Sequence, residues 1–104
     1  MRNKASVRRF KIEPEEYALF RFTVPEPSTL FLHMIASSPV NLMLMDAEDK
    51  YEYEQGDADR FSYTASWGRR IDLETSVEVG AGTWFFIVEG YRETSVGRIE
   101  VTHG

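Results

Sequence analysis

From Glu15 onward the chain is written in short apolar and aromatic segments, each ended by Pro, Gly or an acidic turn. Helical periodicity is almost absent. Successive side chains of a strand point to opposite faces, so alternation of this kind predicts half-buried strands. The cleanest case places Ala18, Phe20, Phe22 and Val24 on one face and Leu19, Arg21 and Thr23 on the other. Seven Phe, five Tyr and two Trp in 104 residues supply enough apolar surface for one core, so the chain reads as a single domain over residues 1–104.

Punctuation sets the strand count. Pro14 ends a first strand over residues 6–12, whose inward side chains are Phe10 and Ile12. Pro25-Glu26-Pro27-Ser28 is a rigid turn, since each proline drives the residue before it into extended geometry. Residues 29–36 and 40–45 are apolar on both faces, which suits two central strands turned at Ser37-Ser38-Pro39. Leu, Met and Ala also favour helices, but this break leaves pieces too short for a stable one. Residues 46–50 read as a turn and 51–55 as a polar edge strand. Strands follow over 60–67 and 69–79, the latter with a break at Glu74-Thr75-Ser76. After the Gly80-Ala81-Gly82 turn comes Thr83-Trp84-Phe85-Phe86-Ile87-Val88, the most β-prone run in the chain. A last strand covers 96–101. The expected architecture is an all-β, antiparallel β-sandwich of jelly-roll type with about eight or nine strands. The basic segment 1–14 is expected to pack on one sheet.

The residue types exclude several chemistries. With no cysteine, disulfides, thiolate catalysis and zinc–thiolate sites are ruled out. Only two histidines are present, His33 inside an apolar strand and His103 next to the C-terminal residue, and no serine sits in a nucleophile elbow. The reading is therefore a non-catalytic protein without a cofactor. A net charge of −5 disfavours nucleic acid as a partner. The first twelve residues are basic and lack the apolar run of a signal peptide, which leans toward the cytoplasm. Residues 30–45 are too polar and too interrupted to span a bilayer as a helix.

Three sets of residues stand out as candidate sites. The central strands carry more apolar side chains than one core face accepts. If Leu42, Leu44, Trp84, Phe86 and Val88 point inward, then Met43, Met45, Phe85 and Ile87 point outward. Such a patch is expected to join two copies of the chain or dock on another protein. The segment Ser66-Trp67-Gly68-Arg69-Arg70 sets a Trp beside two Arg, both common anchors of contact sites, so Trp67, Arg69 and Arg70 form a candidate ligand loop. Asp46, Asp49, Asp57 and Asp59 flank one polar stretch and are weak calcium candidates, without EF-hand spacing. The basic start and the acidic stretch 46–59 also give the chain two opposite poles able to orient a partner or a second copy.

The order of Tyr17-x-x-Phe20-x-Phe22, the strand Val40-Asn41-Leu42-Met43-Leu44-Met45-Asp46 and the run Gly82-Thr83-Trp84-Phe85-Phe86-Ile87-Val88-Glu89-Gly90 resembles the bacterial pre-peptidase C-terminal domains. The resemblance covers residues 15–101. It implies a compact jelly-roll sandwich that accompanies secreted peptidases without catalysing, and in some members binds calcium or polymeric substrates such as polysaccharide. That family's strand often begins with acidic residues where this chain has Val40 and Asn41.

Overall fold

The structure, a computed structural model, describes residues 5–56 and 64–103. Six strands and one helix follow in chain order: β1 (Ala5–Ile12), β2 (Tyr17–Val24), β3 (Ser28–Asp46), α1 (Ala47–Glu54), β4 (Ala65–Val79), β5 (Gly82–Glu89) and β6 (Ser95–His103). All strand pairings are antiparallel. The ladder runs β1-β6-β3-β5-β2, with β4 also paired to β3. β1 and β2, joined by a short turn at Glu13–Glu16, come close without a ladder between them. The result is a nearly closed six-stranded barrel rather than the expected jelly-roll sandwich of eight or nine strands.

The difference lies in two long strands. Residues 29–36 and 40–45, expected as separate strands, are one 19-residue strand, β3. Its first half pairs with β6 through Leu30–Ala36, and its second half pairs with β5 through Asn41–Asp46. Ser37-Ser38-Pro39 marks the handover. There the register with β4 shifts, as at a β-bulge, and the chain bends without reversing. Ser95 fixes the bend. Its hydroxyl donates to the Ser38 carbonyl at 2.7 Å and accepts from the Ser38 N–H at 3.2 Å, while the Val96 N–H donates to the Ser37 hydroxyl at 2.9 Å. Ser95 is the one fully buried polar side chain among the described residues, and this exchange satisfies it. Likewise 69–79 runs unbroken through Glu74-Thr75-Ser76 and joins residues 65–67 as β4. The part of the expected strand over 60–67 that holds Phe61 and Tyr63 lies outside the described residues.

The inward faces follow the alternation. Phe10, Ile12, Phe22, Val24, Leu30, Leu32, Met34, Leu42, Leu44, Phe86, Val88, Ile99 and Val101 form the main core. Fully burying such a side chain contributes roughly 2 kcal/mol. Phe22 and Phe86 meet edge to face at 5.4 Å. β1 enters this core through Phe10 and Ile12 as a wall strand of the barrel, so it does not lie across an outer face. Gly97 makes its approach possible. A Cβ there would overlap the Ile35 carbonyl oxygen and come within 2.8 Å of the Phe10 ring.

Helix α1 occupies residues expected as a turn and an edge strand. Its start is well signalled. The Asp46 carboxylate accepts from the Asp49 N–H at 2.9 Å, as an N-cap does, and Glu48 and Asp49 sit in the first turn, where the helix dipole favours acids. Lys50 and Glu54 pair at 2.7 Å one turn apart.

Candidate functional site

The helix decides the fate of the expected apolar patch. Met43, Met45, Phe85 and Ile87 do project from the outer face of β3 and β5, as alternation requires, but all four are buried. Met43, Met45 and Ile87 form a second core with Leu19 of β2 and Tyr53 of α1 packed on it. Tyr53 also meets Tyr17 edge to face at 5.2 Å, and Lys50 stands 5.2 Å from the Phe85 ring centroid. The Tyr53 hydroxyl donates to the Glu89 carboxylate. Burial, and then that carboxylate, push the Tyr53 phenol above its ordinary pKa. These side chains therefore present no free surface to a second chain. The patch meant for a partner is covered from within the same chain.

The Trp67–Arg70 segment is a bulge in β4. Between Val40–Arg70 and Leu42–Trp67 the ladder gains one residue on the β4 side. Arg69 absorbs it with φ of 51°, in the left-handed region that non-glycine residues rarely enter. The Asn41 side-chain oxygen accepts from the Arg69 N–H at 3.0 Å and holds the bulge. The Arg69 guanidinium then lies 4.9 Å from the Tyr91 ring centroid, and Arg92 stands 5.2 Å from the same ring. Trp67 is half-buried against the main core and lines a groove with Asn41, Ser66, Gly68 and Glu89. Tyr91 and Arg92 line an adjoining groove with Pro39 and Glu93.

Sequence reasoning grouped Trp67, Arg69 and Arg70 in one loop and named Tyr91 as an exposed-aromatic candidate, but it did not join Tyr91 and Arg92 to that loop; both arrive from the β5–β6 connection. No spacing announces that meeting, because the bulge creates it. The corner is cationic. Among the described residues, none of Arg69, Arg70 and Arg92 has a carboxylate partner. Two acids line the same grooves, Glu89, which accepts from the Tyr53 hydroxyl, and Glu93, which accepts from the Ser38 hydroxyl at 3.2 Å, against three arginines.

Of the four calcium candidates, Asp46 and Asp49 fall among the described residues. Asp46 spends its carboxylate on the helix cap, and Asp57 and Asp59 lie outside the described residues. Among the described residues no three His, Asp or Glu side chains are placed to hold a metal ion. His33 lies on an open outer face, 3.3 Å from Asp72.

These features define a small antiparallel β-barrel domain strapped by one helix. No protein family matches the sequence, and no curated protein matches it. Solved structures do match in fold. The pre-peptidase C-terminal domain of collagenase from Bacillus anthracis superposes with a TM-score of 0.61 at 13% identity, over 98% of this chain and 89% of that one. The Yersinia pseudotuberculosis-derived mitogen superposes with a TM-score of 0.66 at 10% identity, over 96% of this chain and 86% of that one. At such identities the likeness is one of fold alone. The resemblance to pre-peptidase C-terminal domains is thus found in the structure. Among the described residues no helix is long and apolar enough to cross a membrane.

Proposed function

We propose that this domain works by contact and not by turnover, and that it holds an acidic segment of another protein against the corner of Trp67, Arg69, Arg70, Tyr91 and Arg92. The observation that carries the reading is the Arg69 bulge. A left-handed non-glycine residue costs on the order of 1–2 kcal/mol, and such strain gathers at functional positions. Here the cost turns an arginine onto Tyr91 beside Arg92. A guanidinium spread over an aromatic ring is already partly desolvated and keeps its donors free for a carboxylate. Arg, Trp and Tyr are also the residue types that dominate contact energies.

A synthetic hexaglutamate peptide is the probe. Titrated at low salt and followed by tryptophan fluorescence and calorimetry, it is expected to bind with a dissociation constant below about 1 mM. The double variant R69A/R92A should lose at least about tenfold, equivalent to about 1.4 kcal/mol. No binding at about 1 mM peptide, or equal binding by the folded double variant, contradicts the reading.

A further inference from the structure

Among the described residues no helix packs over the opposite outer face of the barrel, formed by β1, β6, the first half of β3 and β4. Cross-strand registers order its outward side chains into rows. One row reads Arg9, Arg98, Ile35, Asp72 across β1-β6-β3-β4, and the next reads Val7, Glu100, His33, Glu74. A third places Thr102 beside Phe31 and Ser76. Phe31 is 51% exposed and Val7 42%; Ile35 and His33 are half-covered beside Phe31 on β3, while Val7 stands apart on β1 across Glu100. The charges are unequal by side. Arg9, Arg98 and Lys11 lie on the β1–β6 side with one acid, Glu100, and Asp72, Glu74 and Glu78 lie on β4 with Arg70 at its bulged end. Among the described residues neither Arg9 nor Arg98 has a carboxylate partner.

We infer that this face binds a second copy of the chain, through a twofold axis lying in the face, parallel to the strands and between β6 and β3. That operation exchanges β1 with β4 and β6 with β3 while each row keeps its level. Arg9 of one copy then faces Asp72 of the other, which also holds its own chain's His33 at 3.3 Å, and Glu100 faces that His33. The Arg98 stem covers Ile35, and Phe31 meets Thr102. An isologous contact makes each pairing twice. The crosswise twofold, running along the His33 row, is disfavoured. It would set Glu74 on the Glu74 of the second copy, and like charges face to face oppose association. Charge complementarity therefore selects both the occupant and its orientation. The surface adjoins the bulge corner along β4, but none of the side chains paired here belongs to that corner, so the inference is tested apart from the acidic-segment reading.

Sedimentation equilibrium on the whole chain at low salt tests it. The wild type is expected to be dimeric at about 100 µM, and R9D or D72R should each weaken association at least about tenfold. The double reversal R9D/D72R restores the pairing with its sign inverted, so it should recover dimerisation. Both residues are exposed, and circular dichroism checks folding, with R9Q and D72N as milder substitutes. A monomeric wild type at this concentration overturns the inference. So does a dimer indifferent to the single reversals, or a double reversal no better than either single.

Discussion

The barrel carries apolar side chains on two outer faces, and the two are treated differently. Over β3, β5 and β2, the row of Met43, Met45, Phe85 and Ile87 lies beneath α1 and Leu19 and is almost wholly withdrawn from water. Over β1, β6, β3 and β4, Phe31 and Val7 remain exposed, with His33 and Ile35 half-covered beside Phe31 on β3 and charges of both signs among them. The covered face is a dense apolar patch edged by Glu89, and the helix over it withdraws it from water through Tyr53 and Lys50. The open face mixes apolar and charged groups, and charge pairing is what would orient a second chain on it. An apolar outer face alone therefore does not identify a contact surface. The presence or absence of a lid in the same chain separates the two cases.

The sharpest break in this comparison is Phe85→Asp. On the covered face it replaces a buried ring with a carboxylate, removes the Lys50–Phe85 contact and should cost at least about 3 kcal/mol in chemical denaturation. Stability within about 1 kcal/mol of wild type would mean α1 does not seal this face. Ile87→Ala comes next. It opens a cavity under Tyr53 and should cost about 2–4 kcal/mol. Asp46→Ala removes the helix cap and should cost about 1 kcal/mol, with loss of protection from hydrogen exchange in α1 before the barrel.

Tyr53→Phe sharpens the pH behaviour of the lid. Because the folded phenol is raised, the neutral form stabilises the fold below the unfolded pKa of 10.0, and that contribution is lost as pH rises beyond it. Wild-type stability should therefore fall more steeply than that of Tyr53→Phe above pH 10.0, as read by denaturation midpoints. Parallel slopes would show that the phenol contributes nothing there. The smallest effect belongs to the open face. Phe31→Ser should change monomer stability by less than about 0.5 kcal/mol, measured at concentrations too low for association.

Much of the barrel wall was legible in residue order. The inward sets Phe10/Ile12, Ala18–Val24 at every second position, and Leu42/Leu44 with Trp84/Phe86/Val88 follow directly from a period of two. The strand count was not. Ser-Ser-Pro reads as a reversal, and only the Ser95 hydroxyl, from the far end of the chain, makes it a bend instead. Helix α1 did have local signals, in the Asp46 cap, the acidic first turn and the Lys50–Glu54 pair. Its Tyr residues and alternating charges equally fit an edge strand, and the apolar face waiting for it was the deciding tertiary fact. In the candidate site, Trp67, Arg69 and Arg70 could be picked out by type, whereas Tyr91 and Arg92 depended on a bulge that no local pattern encodes.

Hydroxyl-radical footprinting of the intact chain, read by mass spectrometry in dilute and in concentrated solution, addresses both faces together. Met43, Met45 and Phe85 should be protected at either concentration, whereas Phe31 should react freely when dilute and lose reactivity when concentrated. Ready labelling of Met43, Met45 or Phe85 in dilute solution, or a Phe31 reactivity that ignores concentration, would contradict the division into a face sealed within the chain and a face left for another.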